Sequence, residues 1–134
     1  MEAALAFPFL NVYLHPGPEP VLETQWLGFA TGAEFRASVA QALELGREHH
    51  VRGWIADDRR LGAVRPRDLQ WTHDEVLLAF DRMGLRRLAL LESEDALNRL
   101  TIDSMYQRAL ETVSFELRRF TDIEAARAWA AGRA

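Results

Sequence analysis

The sequence predicts an α/β domain built on a mixed, largely parallel sheet of four or five strands, with an N-terminal hairpin and helices mainly on one face. Three observations carry this. Short apolar runs of strand length alternate with longer segments of helical period, giving the order β-β-α-β-α-β-α-β-α. The first two strand-like segments are joined by a proline-rich turn, and the later ones by segments long enough for crossovers, which require parallel pairing. The chain is 134 residues, a length that suits one domain over residues 1–134 with its own hydrophobic core.

Phe9 to His15 alternates, with Phe9, Asn11 and Tyr13 on one side and Leu10, Val12 and Leu14 on the other, which predicts a strand ending near Pro16. Pro16-Gly17-Pro18-Glu19-Pro20 cannot donate a regular ladder and is read as a turn. Val21 to Phe29 gives the second strand, with Leu22, Thr24, Trp26 and Gly28 on one face. Thr31 and Glu34 have capping-box spacing and start a helix to about His49, whose inner side carries Phe35, Val39, Ala42, Leu43 and Gly46. Gly53 to Asp57 is a short apolar run suited to a buried central strand.

Arg59 to Arg65 lacks a period and is read as a loop, and Pro66 as the first-turn proline of a helix to Met83. Gly84 is its left-handed stop. Arg87 to Leu91 gives the fourth strand. Ser93 to Val113 is heterogeneous and predicts a broken helical segment. Ser114 to Phe120 alternates again as the fifth strand, and Thr121 with Glu124 repeats the capping-box spacing before an alanine-rich helix to about Ala131. No internal repeat or low-complexity tract occurs.

Composition excludes several function classes. With no cysteine there is no disulfide framework, thiolate nucleophile, Cys-ligated zinc or iron–sulfur cluster, and a reducing, cytoplasmic location is expected. All 16 basic residues are arginine and stand against 20 acidic ones, for a net charge of −4, so no broad basic footprint for nucleic acid exists. The N-terminus lacks a basic start and an uninterrupted apolar core, so no secretion signal is expected. No run of 18 apolar residues predicts a membrane span.

The residues that bear chemistry are few. His73-Asp74-Glu75 matches a fragment of the zinc deaminase motif, but its thiolate partners are missing. His49-His50 at a helix end has no identifiable third ligand, so no metal and no cofactor is expected. Neither a phosphate-cradling glycine loop nor a Gly-x-Ser-x-Gly elbow nor a Gly-x-Gly occurs. Asp57-Asp58-Arg59-Arg60 follows the carboxyl end of a strand, the edge where α/β folds place ligands. Neighbouring carboxylates rarely converge, and an Asp–Arg network that fastens the loop is the plainer reading.

In the helix from Pro66, Val76, Phe80 and Met83 fall within about 40° of Leu69 and Leu77 within about 80°, a core face. Trp71 and Leu78 fall on the opposite side, one heptad apart, and are read as an interface stripe. The alternative is that Trp71 folds over its own chain.

The segment Trp26-Leu27-Gly28-Phe29 before a capped helix, followed by Trp54-Ile55-Ala56-Asp57-Asp58-Arg59-Arg60, Gly62, Pro66, Asp68 and Trp71, resembles small bacterial proteins of the SpoIIAA-like, or STAS-like, group. The resemblance spans roughly residues 9 to 131. It implies a four- or five-stranded mixed sheet, no catalytic machinery, and a role in protein or ligand recognition. The sporulation members act through a phosphorylatable serine at the start of the helix after the third strand. Here no serine or threonine occurs from Ala56 to Trp71, and the phospho-switch is not expected. Some relatives are grouped with the CRAL-TRIO lipid carriers, which implies an apolar pocket.

The expectation is therefore a non-enzymatic STAS-like interaction or regulatory module, homodimeric through Trp71 and Leu78. The alternative is a small-molecule or lipid-like carrier or sensor, with ligand-binding candidates Trp54, Asp57, Asp58, Arg60 and Trp71. An apolar cavity of several hundred cubic ångströms favours the alternative. A third reading, an enzyme with Asp57 or Asp58 as general base, requires convergence with His73.

Overall fold

The computed structural model describes residues 1–133. In chain order it contains β1 (Leu5–Phe7), β2 (Leu10–His15), β3 (Val21–Trp26), α1 (Gly32–Glu48), β4 (Gly53–Asp57), α2 (Pro66–Trp71), α3 (Leu77–Arg82), β5 (Arg87–Leu91), α4 (Ala96–Ala109), β6 (Glu116–Phe120) and α5 (Ile123–Ala130). A π-helical turn, Thr72–Val76, joins α2 to α3.

The strands lie in the order β1-β2-β3-β4-β5-β6. The first three pair antiparallel and the last four parallel. Each crossover steps one place in the same direction. Right-handed connections then put α1, the α2–α3 segment and α4 on one face, as expected. The terminal helix α5 follows the last strand and returns across the other face, where Ala126 and Ala130 pack on Val21, Ile55, Ala89 and Leu91.

The sheet has six strands where four or five were expected. The extra one, β1, is three residues long and pairs Leu5 with Val12 and Phe7 with Leu10. A segment that short shows no alternation of its own, and the partner strand creates it. β3 stops at Trp26, short of the expected Phe29, and its pairing with β2 closes on the bond from the Leu27 amide to the Phe9 carbonyl at 2.9 Å. Two helices exchange the expected regularity. Ser93–Val113 holds one unbroken helix, α4, whose N-cap Asp95 accepts from the Asn98 amide at 2.8 Å. The Pro66–Met83 segment carries the π turn instead. The last helix is capped by Asp122, which accepts from the Ala125 amide at 2.9 Å, and not by Thr121. The capping box at Thr31 and Glu34 forms as expected, and Gly84 sits at φ +77°.

A buried ion cluster ties α5 to the sheet. Glu23, 1% exposed, accepts from Arg127 Nε at 2.8 Å and Nη2 at 3.0 Å, and its Oε1 lies 2.8 Å from His15 Nε2. Burial pushes the Glu23 carboxyl up, but the hydrogen bonds from His15 and Arg127 outweigh it and hold it below the ordinary carboxylate value. The helix also approaches β4 closely at Gly53, where a Cβ would overlap the Ala130 carbonyl oxygen.

Removing one partner of such a cluster strands a buried charge. Arg127→Ala is expected to destabilise the fold by about 3 kcal/mol in urea titrations at pH 7. A carboxylate held low contributes stability above its unfolded pKa and loses it as pH falls through the folded value. The gap between wild type and Arg127→Ala should therefore narrow on acidification below about pH 4; a gap that stays constant there removes Glu23 from the account.

Candidate functional site

The site grows from the end of β4, where the pleat of the strand separates two adjacent carboxylates. Successive residues of a strand face opposite sides of a sheet. Asp57 falls on the side of Ile55 and is registered against Leu91 and Gln25. Its carboxylate takes Arg59 in a fork, Nε at 2.9 Å and Nη2 at 2.8 Å, and also accepts from the Arg59 amide at 3.3 Å. This is the fastening network.

Asp58 takes the other side, with Trp54 and Ala56. Its backbone is anchored by an amide bond to the Leu91 carbonyl at 2.9 Å and by the Leu61 amide at 3.1 Å. Its side chain is 5% exposed and faces a cavity of about 60 Å³ between the sheet and its main helical layer. Aromatic rings from five elements contribute to the wall: Trp26, Phe35, Trp54, Phe80 and Tyr106. They interlock, with Trp26 stacked on Phe35 at 5.2 Å between centroids and Trp54 tilted on Phe80 at 4.7 Å. The π turn supplies Thr72 and Val76.

Burial, with the charge of Asp57 behind it, raises the Asp58 carboxyl to about 7, and no hydrogen bond offsets it. The Tyr106 phenol is likewise raised, by burial first and by Asp58 second. A second buried carboxylate lies nearby. Asp68, 2% exposed, leaves its Oδ1 without a hydrogen-bond partner, with Arg36 Nε 3.6 Å away. Its room comes from Gly32, where a Cβ would meet Asp68 Oδ2 at 2.9 Å.

Outside the cavity runs an open groove of about 500 Å³ between α2 and α4, with Leu97, Thr101, Ser104 and Arg108 on its α4 side. Val64 and Leu69 belong to both walls.

Of the ligand-binding candidates, Trp54 and Asp58 line the cavity, while Asp57, Arg60 and Trp71 are not part of its wall. Arg60 is exposed. Trp71 is half-buried and stands edge-on to Phe35 at 6.3 Å, so its ring is engaged within its own chain. Leu78 is 43% exposed. The single interface stripe expected of these two assumed 100° per residue throughout. The π turn inserts one extra residue and rotates the helical residues beyond it by about 100°. His73 bonds Asp74 at 2.9 Å and lines a separate groove with Leu77, Leu78 and Asp81. The cavity of Asp58 does not include it, so the pairing that an acid–base reading requires is not assembled. Tyr106 went unrecognised because its segment reads as broken. Yet Ile102, Met105, Tyr106 and Ala109 recur at helical spacing and are all buried.

Among the described residues no three His, Cys, Asp or Glu side chains gather to hold a metal ion. No helix of the described chain is long and apolar enough to cross a membrane. No protein-family model and no curated protein matches the chain. Among solved structures it is similar to an uncharacterised protein of the DUF3478 family with a SpoIIAA-like fold from Shewanella loihica PV-4. The two are 14% identical, and the match covers 96% of this chain and 99% of that one with a TM-score of 0.63. A likeness at that identity shows the fold, which is SpoIIAA-like.

A carboxyl raised in the folded state binds its proton more tightly there than in the unfolded chain. Stability is then greatest below the unfolded value and falls as pH rises toward 7. Asp58→Asn removes that penalty. Urea titrations are expected to show the variant gaining on wild type between pH 5 and pH 8 by on the order of a few kcal/mol. An unchanged difference across that range places Asp58 in contact with bulk solvent.

Proposed function

We propose that this SpoIIAA-like domain is a non-enzymatic interaction module that works as a homodimer, docking α4 of one copy against α4 of a second. The observation that carries the reading is an outward strip on α4 with two exposed leucines, beside a groove that has an acid at one end and an arginine at the other. Leu97 and Leu100 are 69% and 66% exposed. With Leu97 as zero, Leu100, Thr101, Ser104 and Arg108 fall within about 60° of it at 100° per residue. Asp95 opens the groove beside this strip and Arg108 closes it.

Such a strip is complementary to itself when reversed. A two-fold axis near Thr101 sets Asp95 of one copy toward Arg108 of the other and Leu97 toward Ser104, a large residue against a small one. Each contact then occurs twice, as isologous interfaces require. Exposed leucines beside a groove are the kind of patch that monomers limit. The expected Trp71 and Leu78 surface yields to this one because the Trp71 ring is engaged on Phe35. The non-enzymatic part of the reading is supported by the placement of the acids. Asp57 is committed to Arg59, and Asp58 and His73 face different spaces. A cytoplasmic location accords with the cysteine-free composition.

Sedimentation equilibrium from low to high micromolar concentration tests the dimer. Leu97→Asp and Arg108→Glu are each expected to weaken association at least about tenfold, with melting temperature nearly unchanged. A wild-type chain that stays monomeric throughout refutes the reading, as does a dimer indifferent to both substitutions.

A further inference from the structure

The cavity at Asp58 is not used by the dimer reading and stands independently of it. Its composition is uneven in an informative way. The wall is overwhelmingly apolar, yet it holds one carboxyl group and one phenol, both more than nine-tenths buried, and no hydrogen bond offsets the burial of either. The charged groups that bear on Asp58 and its neighbour Tyr106 are Asp57 on β4 and Arg119 on β6. Asp57 is of like sign and already holds Arg59. Arg119 is shared between Glu92 and Asp103. No cation of the described chain is paired with the Asp58 carboxyl.

We propose that this cavity binds a small alkylammonium ion, its charge on the Asp58 carboxylate and its alkyl groups against the aromatic wall. Five aromatic residues around one acid suit a cation better than any other class. The faces of aromatic rings carry negative electrostatic potential and attract alkylated ammonium groups. An anion meets repulsion from Asp58. Sugars, nucleotides and long acyl chains exceed a space of about 60 Å³, which holds only a few non-hydrogen atoms.

The wall also adjoins the open groove. Val64 and Thr72 are half-buried members of the wall, and Val64 and Leu69 alone are common to the cavity and the open groove outside. The π turn that contributes Thr72 and Val76 is a helix irregularity of the sort that recurs at functional sites. The binding step balances simply: the amine enters already protonated, Asp58 gives its proton to solvent, and the ion pair stays behind.

The test uses the full chain and three probes, methylammonium, trimethylammonium and the neutral tert-butanol, in calorimetric titrations at pH 5.5 and pH 8 and in two buffers of different ionisation enthalpy at pH 7. The expected result is saturable binding of at least one ammonium probe at pH 8, about tenfold or more weaker at pH 5.5. Proton release should accompany binding at pH 7, and tert-butanol should show neither effect. Asp58→Asn should lose ammonium binding at least tenfold while its melting temperature holds or rises. If that variant does not fold, the pH profile and proton count of the wild type decide alone. Absence of ammonium binding at pH 8, equal binding by folded Asp58→Asn, or tert-butanol binding as tight as trimethylammonium would each overturn the proposal.

Discussion

A strand must send consecutive side chains to opposite faces of its sheet, and β4 meets that requirement at the centre of this molecule. It lies between β3 and β5 with all five of its residues buried. Trp54 and Ala56 enter the large core under α1 to α4, while Ile55 enters the small core under α5. When the alternation reaches the Asp57-Asp58 pair, one carboxylate is delivered to each side. The two acids thereby acquire opposite fates. Asp57 is satisfied by Arg59, and Asp58 is set among aromatic rings.

The sequential strand order has a comparable reach. Because each crossover steps the same way, the main layer of helices accumulates on one face and leaves the other to α5 alone. A helix of eight residues buries little apolar area. The Glu23 cluster with Arg127 and His15 supplements it and orients it. Such a cluster is a poor source of net stability compared with apolar packing, but it is directional, and breaking it is costly. On the crowded face, α4 covers the sheet with Ile102, Met105, Tyr106 and Ala109 and leaves Leu97 and Leu100 outward.

Four acids are buried among the described residues, and three of them, Glu23, Asp57 and Asp58, mark the difference between structure and site. Glu23 and Asp57 are each forked by an arginine, and for Glu23 those bonds outweigh the effect of burial. Asp58 has no such bond, and burial raises it toward neutrality. A group poised there changes charge within the range in which cells operate, which is the reason perturbed acids in cavities mark functional sites.

How much of this is legible in the chain depends on distance along it. The Thr31–Glu34 cap, the start at Pro66, the stop at Gly84 and the inner face of α1 all arise from contacts within one or two turns, and residue order is enough to place them. The Asp57 and Asp58 pair is likewise visible as the end of a strand. β1 is not, because three residues acquire a strand conformation only from the neighbour they pair with. The π turn is not either, and with it goes the true direction of Trp71. The cavity joins Trp26, Asp58 and Tyr106, which are remote in the chain and have no shared local signature. The sequence by itself determined the longer elements, their order and the class of fold, because those arise from short-range periodicity and capping. Only tertiary packing decided which acid is paired, which tryptophan is covered and where a cavity remains, because those depend on side chains that meet across the sheet.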